Sequence, residues 1–143
     1  MNNFERNAYK SGYRLVAGID EAGRGPLAGP VVAAAVILPQ DYQNSEINDS
    51  KRLSPKKRER LYDVIREDAL TIGLGVVEAA IIDEINILQA TMIAMKEALF
   101  ELSPVPDFLL IDGVTSLPVR IPQQTLIKGD SRSVSIAAAS IIA

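Results

Sequence analysis

The sequence contains no cysteine, no histidine and no tryptophan. Without cysteine the chain has no thiol nucleophile, no disulfide and no zinc–sulfur cluster. Without histidine it has no imidazole base, and a Ser-His-Asp triad is excluded. If the chain is an enzyme, carboxylates or lysines must therefore carry its chemistry.

Aromatic residues and long apolar runs are also scarce. Aromatic side chains make up 5% of the sequence, which is too few for an extended platform on which bases stack. No apolar run approaches the ~20 residues of a membrane-spanning helix, and the polar amino terminus is unlike a signal peptide. We therefore expect a cytoplasmic protein with no membrane partner.

The size and charge of the chain indicate how many domains it forms and whether it is a general nucleic-acid binder. Its 143 residues, 48% of them apolar, are enough for one domain with a sizeable core. The formal net charge of −3 is not the signature of a general nucleic-acid binder. Positive charge is concentrated between residues 51 and 60, where six of the ten residues are lysine or arginine. Any polyanion would therefore meet a local basic patch.

Apolar runs and helical spacing predict an α/β domain with the element order β-β-α-β-α-β-β-α. They place strands at 15–19, 31–38, 71–79, 108–111 and 125–127, and helices at 55–67, 83–102 and from 133 onwards. The last helix reaches Ala143 with an apolar face and no glycine, lysine or proline stop signal. We therefore expect one domain over residues 1–143 that is incomplete at its C-terminus.

The most informative segment is residues 18–30, with the sequence GIDEAGRGPLAGP. Asp20 and Glu21 stand at the end of an apolar run, and adjacent acids beside a buried strand are unfavourable unless something compensates their charge. Paired acids of this kind bind hard cations. The Gly-Arg-Gly turn at residues 23–25 lets backbone N–H groups and a guanidinium approach a phosphate closely. Together these features indicate phosphoryl-transfer chemistry.

Two further acids extend this pattern. Asp112 follows another apolar run, and Asp130 comes just before the last predicted helix. If the strands of Asp20 and Asp112 are parallel neighbours, both side chains emerge at one edge of the sheet. Each later acid taken alone is more simply a turn former. Taken together, the acids repel one another unless a cation is bound, and their oxygen ligands favour Mg²⁺ or Mn²⁺ over zinc.

Residues 23–28 also satisfy the dinucleotide-binding pattern G-x-G-x-x-[G/A] after a strand. Two physical objections exclude that interpretation. Asp20 and Glu21 would face the pyrophosphate with two negative charges. The segment that follows contains Pro30 and a valine-rich run typical of a strand, whereas a dinucleotide site needs the N-terminus of a helix.

Residues 18–30 resemble the signature of the bacterial ribonuclease HII family, a type 2 ribonuclease H. Five further segments resemble family motifs and occur in the family's order: Asp49–Ser54, Asn86–Thr91, Leu110–Gly113, Lys128–Ser131 and Ala137–Ser140. The resemblance covers residues 12–143, with Arg52 where the family often has lysine. It implies a ribonuclease H-like fold, in which a mixed five-stranded sheet is flanked by helices.

The resemblance also implies which residues form the site. Four carboxylates would be catalytic and would hold two divalent ions, Mg²⁺ or Mn²⁺: Asp20, Glu21, Asp112 and Asp130. Gly23, Arg24 and Gly25 would contact the 2′-hydroxyl of a ribonucleotide and its phosphate. Because the 2′-hydroxyl distinguishes RNA from DNA, close backbone contacts to it are physically sensible.

Three other residues are candidates for substrate binding. Ser50 and Lys51 are expected to contact the sugar–phosphate backbone. Asn86 is equally well explained as a phosphate contact or as a helix cap that needs no substrate. For Lys57, Arg58 and Arg60 the alternative to substrate binding is a solvated helix face.

The activity implied by the resemblance is hydrolysis of RNA in RNA–DNA hybrids by two-metal catalysis. The family also nicks duplex DNA 5′ of an embedded ribonucleotide and leaves 3′-hydroxyl and 5′-phosphate ends. We expect a monomer, and not a type 3 enzyme, because the residues before Gly12 leave no room for the extra N-terminal domain usual there. The family's tyrosine, its Lys…Arg-Asp motif and its C-terminal helices are expected beyond Ala143. An inactive fragment that only binds nucleic acid and metal is therefore the alternative.

Overall fold

The computed structural model describes residues 1–22, 29–47 and 53–143. Within these ranges the chain forms α-helices and β-strands in a mixed order. In chain order they are α1 (Asn3–Lys10), β1 (Val16–Ala22), β2 (Val31–Ile37), α2 (Pro55–Asp68), β3 (Thr71–Val77), α3 (Ala79–Ile85), α4 (Ile87–Phe100), β4 (Phe108–Asp112), β5 (Gln123–Leu126) and α5 (Val134–Ile142).

The strands form one five-stranded sheet in the order β3-β2-β1-β4-β5. β1 pairs antiparallel with β2, and β2 pairs antiparallel with β3. β4 is parallel to both β1 and β5, and Ile19 lies opposite Ile111 in the register of β1 and β4. The mixed five-stranded sheet predicted from the resemblance is therefore confirmed, with β1 at its centre.

Helices cover both faces of the sheet, and β2 shows how its residues divide between them. Ala33 and Ala35 belong to the core on the side of α4, whereas Ala34 and Val36 belong to the core on the side of α2 and α5. Successive residues of a strand point to opposite faces, which accounts for this alternation. A strand that is apolar on both sides is expected where both faces are covered.

Two of the predicted elements differ substantially from those observed. β1 continues past the predicted end at residue 19, through Asp20 and Glu21 to Ala22, because these residues pair with β2. The single helix predicted from Asp83 to about residue 102 is wrong, since the chain forms α3 and α4 with a break at Asn86, where φ is 135°. Asp83 lies inside α3 and does not begin a helix.

The N-terminal helix α1 was not predicted. Its residue Ala8 packs with Val16, Leu110 and Ile136 in a small core cluster. The backbone N–H of Val134 donates to the carbonyl of Met1, so the start of the chain contacts the start of α5. Among the described helices, none has both the length and the apolar character needed to cross a bilayer.

Candidate metal centre

Three carboxylates meet where β1 and β4 run side by side. Asp20, Glu21 and Asp112 each offer an oxygen, and these oxygens all lie within 4.8 Å of one another. Because Ile19 lies opposite Ile111 in a parallel pair, the residues that follow them are neighbours across the two strands. The condition on which Asp20 and Asp112 were expected at one edge of the sheet, a parallel pair of neighbouring strands, is therefore met.

Burial and mutual repulsion make it difficult for all three carboxylates to be charged. Asp20 is only 5% exposed. Its burial, followed by the charges of Asp112 and Glu21, raises its pKa to about 9. Burial and the charge of Asp112 also raise the pKa of Glu21. Such a group is poorly stable as three anions unless a cation is present, and its oxygen donors suit a hard divalent ion.

Backbone N–H groups orient two of these carboxylates. The N–H of Glu21 donates to Oδ1 of Asp20 at 2.8 Å. The N–H of Gly129 donates to Oδ1 of Asp112 at 2.7 Å, so the turn before α5 is tied directly to β4. Gly129 was not among the site residues predicted from the sequence, although it stands beside the predicted Asp130.

Asp130 lies in a short 3-10 helix, Gly129–Ser131, and is 5% exposed. It is not a member of the three-carboxylate group that meets within 4.8 Å. The bond from Gly129 to Asp112 nevertheless links the residue before Asp130 to that group. The role of Asp130 as a fourth ligand stays a prediction.

An open cleft of about 300 Å³ borders the carboxylates. Glu21 and Asp112 form one part of its wall. Leu88 and Met92 of α4 form another part, together with the residues 113–115 that follow β4. The cleft therefore opens beside two of the three carboxylates. Its apolar wall on α4 was not predicted as part of the site.

Six predicted site residues remain, and the structure describes one of them. Gly23, Arg24, Gly25, Ser50 and Lys51 lie outside the described residues. Asn86 is described, and its side-chain oxygen accepts a hydrogen bond from the N–H of Gln89 at 2.9 Å. Asn86 therefore caps α4. Its contact with a phosphate stays a prediction, as does substrate binding by the five residues outside the described ranges.

The sequence profile of the family described as Ribonuclease HII matches residues 17–143. The chain belongs to the ribonuclease HII family. The match begins in β1 and includes all four predicted acids. The ribonuclease HII resemblance that residues 18–30 indicated is therefore confirmed.

Similar proteins agree with this assignment to the ribonuclease HII family. The chain is 64% identical to a Ribonuclease HII of Syntrophus aciditrophicus over 143 residues, which is all of this chain and 68% of that protein. It is 63% identical to a Ribonuclease HII of Enterococcus faecalis over 143 residues, which is 56% of that protein. The crystal structure of the ribonuclease H2 from Pyrococcus horikoshii superposes with a TM-score of 0.78 at 26% identity, covering 90% of this chain and 69% of that one.

The chain thus spans 68% and 56% of the length of these two ribonuclease HII relatives. The part they share with it includes the whole sheet and the carboxylates described above. The ribonuclease H-like fold is established for this part.

Proposed function

We propose that this chain carries the catalytic centre of an endoribonuclease that hydrolyses RNA in RNA–DNA hybrids. We further propose that it nicks duplex DNA on the 5′ side of an embedded ribonucleotide and leaves 3′-hydroxyl and 5′-phosphate ends. One observation carries the proposal: in a chain of the ribonuclease HII family, Asp20, Glu21 and Asp112 bring their oxygens within 4.8 Å of one another.

Mg²⁺ or Mn²⁺ is the cofactor that these residues fit. The chain has no histidine or cysteine, so its metal ligands must be oxygen atoms. Asp20, Glu21 and Asp112 would hold the ions, with Asp130 as a fourth ligand. When bound, two such ions supply activation of the attacking water and stabilisation of the leaving 3′ oxygen.

The chain itself would hold its carboxylates in a fixed geometry before the substrate binds. Asp20 is the most buried of the three carboxylates, and the N–H of Glu21 fixes its Oδ1. The N–H of Gly129 fixes Oδ1 of Asp112, which leaves the other oxygen of that carboxylate to bind a cation. Groups oriented before the substrate arrives need no reorganisation during the reaction.

Substrate recognition would take place along the cleft beside the carboxylates. We propose that Gly23, Arg24 and Gly25, which follow β1 directly in sequence, contact the 2′-hydroxyl and the adjoining phosphate. Ser50, Lys51 and Asn86 would contact the sugar–phosphate backbone. The protein would act as a monomer in the cytoplasm.

A nicking assay tests the proposal. The substrates are a DNA duplex with one embedded ribonucleotide and the same duplex made entirely of deoxynucleotides. In Mg²⁺ or Mn²⁺, we expect a cut 5′ of the ribonucleotide in the first duplex and no cut in the second. Asp20→Asn should reduce cleavage by about 1000-fold or more, because it removes one of the three carboxylates that would hold the ions.

Glu84→Gln is the matched control, since Glu84 is an exposed carboxylate in α3. It should cut at the wild-type rate. Equal cutting by Asp20→Asn and by the wild type would contradict the proposed site. If the folded wild-type protein binds the duplex and metal but never cuts, the chain is only a binding domain and the catalytic proposal is wrong.

A further inference from the structure

The carboxylate of Glu5 in α1 is joined to the first turn of α5. Its residue is 3% exposed, and Oε2 accepts hydrogen bonds from Ser133 Oγ at 2.6 Å and from the N–H of Ser135 at 2.9 Å. Ser133 Oγ in turn accepts from the N–H of Ile136 at 3.1 Å. A carboxylate here satisfies the N–H of Ser135, which has no partner inside the helix, and complements the helix dipole. Glu5 thus fixes the start of α5.

One route leads from this contact to Asp112. The N–H groups of Arg132 and Ser133 both donate to the carbonyl of Gly129, at 2.9 Å and 2.8 Å. The N–H of Gly129 donates to Oδ1 of Asp112 at 2.7 Å. Two residues, Ser133 and Gly129, therefore connect the side chain of Glu5 to a carboxylate of the metal centre.

A second route leads towards Asp20. Ser135, the other residue bound by Glu5, lies directly against Gly18 in β1. A Cβ added to Gly18 would lie 2.2 Å from the carbonyl carbon of Ser135, so the two backbones are in contact. Gly18 precedes Asp20 by two residues in the same strand. The first turn of α5 therefore packs against the strand that bears Asp20. It is also linked to Asp112 by hydrogen bonds through Gly129.

We propose that Glu5 is a positioning residue for the metal centre. By holding the first turn of α5 against β1 and against the turn at Gly129, it sets the separation of Asp20 and Asp112. This inference rests on the proposed function, because it presumes that these carboxylates bind divalent ions. The simpler alternative is that Glu5 only attaches α1 to the rest of the fold.

Mn²⁺ affinity separates the two explanations. We would titrate Mn²⁺ into the intact protein, follow free Mn²⁺ by electron paramagnetic resonance, and record the melting temperature of each variant. Glu5→Ala should weaken Mn²⁺ binding about tenfold, as expected for loss of a residue that supports metal ligands. Glu5→Gln, which keeps the size of the side chain and loses its charge, should weaken Mn²⁺ binding less than Glu5→Ala does.

Asn7→Gly is the matched control. Asn7 lies in the same helix with its side chain exposed, so the substitution weakens α1 without touching the contacts of Glu5 or the packing on Ile136. We expect it to lower the melting temperature while the dissociation constant for Mn²⁺ stays within twofold of the wild type.

The proposal is overturned if both Glu5 variants melt at a lower temperature yet bind Mn²⁺ as tightly as the wild type. If neither Glu5 variant folds, Ser133→Ala takes their place, since it removes the hydroxyl between Glu5 and the turn at Gly129, and the same loss of affinity is expected. A folded wild-type protein that does not bind Mn²⁺ would instead contradict the proposed metal centre itself.

Discussion

Oδ1 of Asp107 accepts a 2.8 Å hydrogen bond from the backbone N–H of Leu15. Both oxygens of Asp107 also receive the N–H of Arg14, at 3.2 Å and 3.0 Å. These bonds join the residues just before β1 to the residue just before β4. They therefore help to set the register that brings Asp20 beside Asp112.

We expect Asp107→Ala to reduce the free energy of unfolding by about 2 kcal/mol, because it removes hydrogen bonds to a charged acceptor. Asp107→Asn keeps one acceptor oxygen and should reduce it by about 1 kcal/mol or less. Urea denaturation measures both values. Equal losses in the two variants would show that the acceptor oxygen has no special part in joining the strands.

The contact between Gly18 and Ser135 predicts that any side chain at residue 18 moves α5 away from the sheet. We expect Gly18→Ala to cost about 3 kcal/mol of stability. Gly12→Ala is the control: φ is 101° there, but a Cβ would meet nothing within 4 Å, so the cost is backbone strain of about 1 kcal/mol. Thermal unfolding compares them. A smaller loss at residue 18 than at residue 12 would contradict the close packing of α5.

The raised pKa of Asp20 predicts how the stability of the metal-free protein depends on pH. The carboxyl has a pKa of about 9 in the folded protein and close to 4 when unfolded. The folded state therefore holds a proton that the unfolded state has released, so stability falls as pH rises from about 4 to about 9. Glu21, whose pKa is also raised, acts in the same direction.

In EDTA, we accordingly expect a lower melting temperature at pH 8 than at pH 5.5. Asp20→Asn should melt about 4 °C or more above the wild type at pH 8, and the difference should shrink at pH 5.5. Glu84→Gln should follow the wild-type pH profile. Identical pH profiles for Asp20→Asn and the wild type would show that Asp20 is not the group responsible.

Divalent ions should reverse this loss of stability. A ligand that binds only the folded state at 100 times its dissociation constant adds about 2.7 kcal/mol. Asp112→Asn should remove most of the gain in Mn²⁺, because Asp112 belongs to the three-carboxylate group. NaCl at matched ionic strength is the control, and an equal gain in NaCl would indicate general charge screening.

Asp130 lies outside the three-carboxylate group, and this predicts a different result for Asp130→Asn. We expect calorimetric titration with Mn²⁺ to retain the tighter of two binding events and to lose the weaker one. Loss of all Mn²⁺ binding in this variant would place Asp130 with the other three carboxylates in a single site.

Much of the fold follows from local chemistry that is visible in the sequence. Ser54 before Pro55 predicts the start of α2, and the side chain of Ser54 accepts from the N–H of Lys57 as such a cap does. The apolar residues of β2 and β4 predict buried strands. Asp20 and Asp112 follow apolar runs, so they were expected at one edge of the sheet if their strands were parallel neighbours, and β1 and β4 are such a pair.

The break at Asn86 was not predicted, because the apolar spacing on its two sides is continuous and only the backbone angle separates α3 from α4. Helix α1 was missed for a related reason. Its short, mostly polar sequence has little helical tendency by itself, and its stability comes from packing on Val16, Leu110 and Ile136.

The sequence by itself determined which kind of ligand atom a metal centre in this protein can use. The absence of histidine and cysteine, and the acids that follow apolar runs, restrict the metal centre to oxygen ligands whatever the fold. Only the tertiary structure decided which acids meet within 4.8 Å and which residues hold them there. The contacts from Glu5 to Ser133 and from Gly129 to Asp112 join residues 128 and 17 positions apart in the chain. Local sequence patterns do not predict such distant pairs, because the pairs form only when the helices pack on the sheet.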